Sequence, residues 1–151
     1  MRLSRWTMIF VVLALPIACR DATGPERVSA FFALQSVDGQ PLPTVLFSDL
    51  TRTRTVVSSN LVLDTQGHAM ITESDREDAQ GIVTEPTLTL TLEYRLIGDH
   101  IEIGTFTQCS PNALCPRQAT GTISNGILTL NDPVQAMGKV YVYRIVPTDP
   151  V

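Results

Sequence analysis

From Thr87 to Leu96 the chain reads TLTLTLEYRL, a run in which every second side chain is apolar and the rest are Thr, Glu or Arg. Successive side chains of an extended strand point to opposite faces, so Leu88, Leu90, Leu92, Tyr94 and Leu96 share one face and Thr87, Thr89, Thr91, Glu93 and Arg95 the other. Such a segment folds only where one side of a sheet is dry and the other wet. β-Branched Thr on the wet side fits a pleated surface. Downstream of residue 30 no eleven-residue window carries the 3.6-residue spacing of an amphipathic helix.

Turn residues fix how the strands align. A two-residue hairpin at Gly98-Asp99 pairs Ile97 with His100, Leu96 with Ile101, Arg95 with Glu102 and Tyr94 with Ile103. Asn125-Gly126 signals a type I′ turn that pairs Ile123 with Leu128 and Thr122 with Thr129. A three-residue loop at Thr65-Gln66-Gly67, with Gly67 left-handed, pairs Leu63 with Ala69 and Leu61 with Ile71. Each register sorts apolar from polar, whereas a one-residue slip reverses every face. Further strands are expected at Phe31 to Ser36, Val45 to Ser48 with a continuation through Thr53 to Ser58, Ala119 to Ser124, and Lys139 to Val146. The expectation is an all-β domain, an antiparallel up-and-down barrel of about eight strands, with a two-sheet sandwich as the alternative. The inner face is assigned to Phe32, Leu34, Leu61, Leu63, Ile71, Leu88, Leu90, Leu92, Ile101, Ile103, Ile123, Leu128 and Leu130. Tyr141 and Tyr143 alternate with Val140 and Val142, and either set suits the interior.

The N-terminal segment addresses compartment rather than fold. Residues 1–18, MRLSRWTMIFVVLALPIA, place Arg2 and Arg5 before an uncharged stretch from Trp6 to Ala18, a secretory signal pattern too short for a permanent span. The run ends in Leu15-Pro16-Ile17-Ala18-Cys19, which resembles the lipobox of bacterial lipoproteins through Ala18 and Cys19 and departs from it at Pro16. The resemblance implies that Cys19 is acylated and becomes the new N-terminus, which places the protein in a bacterial cell envelope, attached to a membrane by its lipid. Residues 19–28 then form a tether, and residues 29–151 one domain. Removal of residues 1–18 leaves nine basic against fifteen acidic residues, a net charge of −6. With no basic block, nucleic acid is not an expected partner.

Assigning Cys19 to lipid leaves Cys109 and Cys115, six apart in QCSPNALCPR, as an even pair. In an oxidising envelope the expectation is a disulfide closing a small loop, contributing about 2 kcal/mol in the chain-entropy picture. A redox pair or a zinc site with His68 and His100 are alternatives that lack the usual spacing.

Little else points to chemistry. The chain has one lysine, Lys139, and two histidines, His68 and His100, both beside expected turns. Glu73-Ser74-Asp75-Arg76-Glu77-Asp78 lacks the spacing of a calcium loop and reads as a solvated loop. Glu102 is directed toward Arg95 as a surface pair. No nucleophile elbow, metalloprotease helix or phosphate loop is present, so neither enzymatic activity nor a metal or other cofactor is expected.

The segments FALQSVDGQPLP (Phe32–Pro43), LVLDTQGHAMIT (Leu61–Thr72), GTISNGILTLND (Gly121–Asp132) and KVYVYR (Lys139–Arg144) together resemble small bacterial lipoproteins with a lipocalin-like barrel. The first segment is also similar to the start of META-type envelope domains, without the Gly-Cys-Asn signature of that group. The resemblance implies the barrel and no catalytic residues. The functional expectation is a barrel that binds a small apolar ligand, or a structural or inhibitory module that binds an envelope protein through its loops.

Overall fold

The computed structural model describes residues 26–106, 119–131, 133 and 138–147. Cys19, Cys109 and Cys115 lie outside the described residues, as does the signal segment. The described chain forms eleven strands: β1 (Ala30–Val37), β2 (Gln40–Pro41), β3 (Thr44–Ser48), β4 (Arg52–Leu63), β5 (His68–Ala79), β6 (Ile82–Thr84), β7 (Thr87–Ile97), β8 (His100–Gly104), β9 (Ala119–Ser124), β10 (Ile127–Asn131) and β11 (Val140–Ile145).

Eight of these close into an antiparallel ring in the order β1-β4-β5-β7-β8-β9-β10-β11, with β11 returning to β1. The expected up-and-down barrel is therefore the observed one, and the double pairing of β1 rules out the two-sheet sandwich. On one side Phe32 faces Leu61, and on the other it faces Ile145. The hairpin registers at Gly98-Asp99, Asn125-Gly126 and Thr65-Gly67 are those the turn chemistry dictates. Asn125 and Gly126 both have positive φ, 51° and 74°, as a type I′ turn requires.

Three short strands lie off the ring. β4 and β5 are twelve residues each, but β1 reaches β4 only through its Ala30–Ala33, opposite Leu63–Asn60, and β7 reaches only His68–Ser74 of β5. Beyond those limits the hairpin is flanked instead by β3 and β6, giving a four-stranded wing continuous with the wall. The expected continuation from Val45 to Ser58 is thus two antiparallel strands. Asp49 makes the reversal: its Oδ1 accepts from the backbone N–H groups of Thr51 (2.7 Å) and Arg52 (2.8 Å), which holds its carboxyl below the usual range.

The core fills the ring. Phe32, Leu34, Leu61, Leu63, Ile71, Ile101, Ile103, Leu128 and Leu130 of the expected inner face are buried, and Leu90, Leu92 and Ile123 pack partly against them. Leu88 departs from expectation at 39% exposed. Among the described residues β8 accompanies β7 only as far as the Glu93–Gly104 pair, so nothing of that strand covers Leu88. Tyr94, Leu96, Tyr141 and Tyr143 join the interior, which settles the tyrosine question: both tyrosines of β11 face inward.

One end of the barrel collects the turns at residues 64–67, 98–99 and 125–126, and there the incoming chain is clamped. Glu26 N–H donates to Leu96 carbonyl (2.9 Å) on an edge of β7 that β5 has left. The buried Tyr94 hydroxyl accepts from Val28 N–H (2.8 Å), and its proton lies between the carbonyls of Asp64 (2.9 Å) and Val28 (3.0 Å). The Arg27 guanidinium lies over Gly67, where any Cβ would collide with it, and 5.7 Å from the Tyr94 ring centre.

Candidate functional site

The opposite half of the interior is charged. Along β5 the inward set runs Ala69, Ile71, Glu73, Asp75, and on β4 it runs Leu63, Leu61, Ser59, then Val56 and Arg54 after a bulge between Val56 and Ser58. A bulge adds one residue to one strand and so changes the parity of everything beyond it. A second bulge in β1, between Leu34 and Ser36, brings Val37 inward opposite Tyr141. The acidic segment expected as a solvated loop is therefore strand, and two of its four carboxylates lie in the dry interior: Glu73 at 0% and Asp75 at 4% exposure. The run Ala69-x-Ile71-x-Glu73-x-Asp75 keeps the strand's period. Charge alone argued against extending it.

Arg54 answers both carboxylates. Its Nε donates to Asp75 Oδ2 (2.7 Å) and its Nη2 to Glu73 Oε1 (3.1 Å), while the side chain keeps 21% exposure at the wing. Tyr143 and Ser59 share a hydrogen bond at 3.2 Å, and the Tyr141 and Tyr143 rings stack with centres 6.2 Å apart. Among the described residues three buried atoms make no well-formed hydrogen bond, Glu73 Oε2, Asp75 Oδ1 and Tyr141 Oη, although Tyr141 and Asp75 both lie close enough to Glu73 to bear on its proton. Two carboxylates against one guanidinium leave an excess negative charge in a medium that solvates charge poorly. Burial, and then the charge of Asp75, push the Glu73 carboxyl up to about 7, against the opposing pull of Arg54. Burial likewise raises both tyrosine hydroxyls. The group is thus set up to hold a proton on Glu73 near neutrality, which makes that carboxyl a donor to its neighbours.

The other described residues singled out by sequence lie outside the barrel. His68 is half exposed, with Nδ1 3.0 Å from Asp64 Oδ2, and His100 is 77% exposed at its turn. A groove of about 580 Å³ beside β7 is lined by Arg27, Gln66, His68, Glu93, Arg95 and Phe106 among others, and none of its described lining residues is a serine, cysteine or lysine. Arg95 faces Glu102 in register, but its guanidinium stacks over the Phe106 ring at 3.9 Å. Lys139 pairs with Asp38 (2.8 Å), a hydrogen bond that lowers the Asp38 carboxyl. Among the described residues no three His, Cys, Asp or Glu side chains gather as metal ligands, and no helix is long and apolar enough to cross a membrane.

No protein-family profile matches the chain, and no curated protein or solved structure is similar enough to count as a match. Fold and site alone define its class, a closed eight-stranded antiparallel barrel with a tyrosine- and carboxylate-lined half.

Proposed function

We propose that this chain is a cell-envelope lipoprotein of the small bacterial kind it resembles, held to a membrane by acylated Cys19, whose barrel is a non-catalytic scaffold for binding another envelope protein. The observation that carries this reading is the packing of the interior. Any cavity wide enough for water would give its walls accessible surface, yet Leu61, Leu63, Ile103, Leu128, Leu130, Tyr141 and Tyr143 all have 0% exposure. A barrel of eight strands is near the size that side chains alone can fill. Apolar surface lies on the outside instead, and part of it gathers on the wing and its turns, at Val45, Leu50, Val57, Ile82 and Val83. A Cys109–Cys115 disulfide would cross-link the segment that contains both cysteines, lowering the cost of fixing it against a partner.

A second reading keeps the small apolar ligand but moves it. Leu88, Leu90 and Leu92 belong to the inward face of β7 and retain exposure, so a ligand would lie on that strip beside Glu73 rather than in the barrel's centre. Native mass spectrometry of the mature protein, purified from envelopes, separates the two. The scaffold reading expects no stoichiometric noncovalent adduct, and photo-crosslinks to one partner from probes at Leu50 and Ile82. A one-to-one apolar adduct that Leu90→Glu abolishes would replace it with the carrier reading.

A further inference from the structure

The end of the barrel where the chain enters carries its own apolar rim. Ile97 closes β7, Ile127 opens β10, Ile145 ends β11 and Val146 follows it, with exposures of 70%, 38%, 43% and 39%. Ile145 abuts the Asn125-Gly126 turn, its N–H donating to Gly126 carbonyl at 2.8 Å. These side chains lie along an arc from β7 to β11, on the end where Glu26 is bridged to Leu96.

We propose that this rim rests on the lipid bilayer, so that the barrel stands with its clamped end toward the membrane and its wing away from it. The proposal rests on the lipid anchor at Cys19 put forward above. The length of the tether decides the orientation. Residues 20–25 separate Cys19 from Glu26, and at about 3.5 Å per residue this stretch reaches about 25 Å when fully extended. As coil its mean span is nearer 15 Å. The β4–β5 hairpin, at twelve residues per strand, runs about 40 Å along its strands. Strands of such barrels tilt by about 35–45° from the axis, which makes that length about 30 Å of height, still beyond the extended tether, so a lipid attached to one end cannot bring the wing tip of an upright barrel to the surface.

Glu26 is a fixed point as well as an end. The Tyr94 hydroxyl, the Leu96 carbonyl and the seat of Arg27 over Gly67 hold residues 26–28 to the barrel, so little slack is added to the tether. The contact is apolar rather than electrostatic. Among the described residues Arg27, Arg95 and Arg144 on this end are matched by Glu26, Asp64, Glu93 and Asp99, so the basic side chains do not form an unopposed patch for anionic headgroups.

The test uses the full-length protein, processed in cells and reconstituted into phosphatidylethanolamine–phosphatidylcholine vesicles. Benzoylphenylalanine replaces Ile97, Ile127, Leu50 or Ile82 one at a time, with melting curves confirming that each variant folds. Illumination is expected to give lipid adducts at positions 97 and 127 at about fivefold or more the yield at 50 and 82, unchanged by high salt. Equal or reversed yields, or silence at all four positions with acylated Cys19 confirmed by mass, would overturn the orientation. A mature chain with no acyl group at Cys19 would overturn it too, and the N-terminal mass would show that the anchor reading had failed beneath it.

Discussion

Leu61 and Arg54 point into the same barrel from the same strand, and the neighbourhoods they enter obey different physics. Around Leu61, in the clamped half, Phe32, Leu63, Ile71, Ile103 and Leu128 hold one another by shape and exclusion of water. Around Arg54, stability depends on a charge count, because the two buried carboxylates Glu73 and Asp75 share one guanidinium. The apolar half is indifferent to pH and punishes lost volume. The charged half tolerates its own burial only while each ion keeps its partner or a proton replaces it.

The sharpest way to break this contrast is to damage each half and compare pH values. Arg54→Ala strands two buried carboxylates and is expected to cost about 3–5 kcal/mol at pH 8, by urea unfolding, with a smaller loss at pH 5 where Glu73 is protonated. Leu128→Ala leaves a cavity and is expected to cost about 3 kcal/mol at both pH values. Equal pH dependence in the two variants would dissolve the distinction.

Glu73→Gln sharpens it. The folded chain holds the Glu73 proton up to about pH 7, whereas the unfolded chain releases it near the ordinary value of 4.5. Stability from this group is therefore complete below about 4.5 and is lost as pH rises through 7, a total of about 3 kcal/mol. Gln should remove that slope, leaving the variant more stable than the parent above pH 7. A parent whose stability stays flat from pH 5 to 8 would count against a protonated Glu73.

The smallest expected effect belongs to the clamp. Tyr94→Phe keeps the ring and deletes the hydroxyl held by Val28 and Asp64, at a cost of about 1–2 kcal/mol. Hydrogen exchange at the Val28 amide should accelerate by a larger factor than exchange at Leu128, since loosening the arm leaves the ring closed.

The same division explains what the residues disclosed in advance. Turns such as Asn125-Gly126 carry local chemistry that admits one register, so hairpins and the apolar face were legible from short windows. The charged half depends on features with no local mark. The bulge at Val57–Ser58 flips parity without a glycine or proline to announce it, and the partner that makes Glu73 tolerable sits nineteen residues earlier, on the neighbouring strand. Lacking Arg54, a reading by composition sends an acidic run to water. The tyrosines of β11 were undecidable for a related reason, because Val140 and Val142 are as acceptable inside as they are. The closing strand's inward set is chosen by its neighbours, where Tyr143 meets Leu34 and Leu128 at once.

That closure has a consequence for how the molecule comes into being. Ala33 pairs with Arg144, more than a hundred residues further along the chain. A nascent polypeptide holding every strand up to β10 still has two raw margins, one on β1 and one on β10, that only β11 can seam. Until that strand arrives those margins are open to other chains, so protection from misassembly is expected to be needed until β11 has emerged and docked.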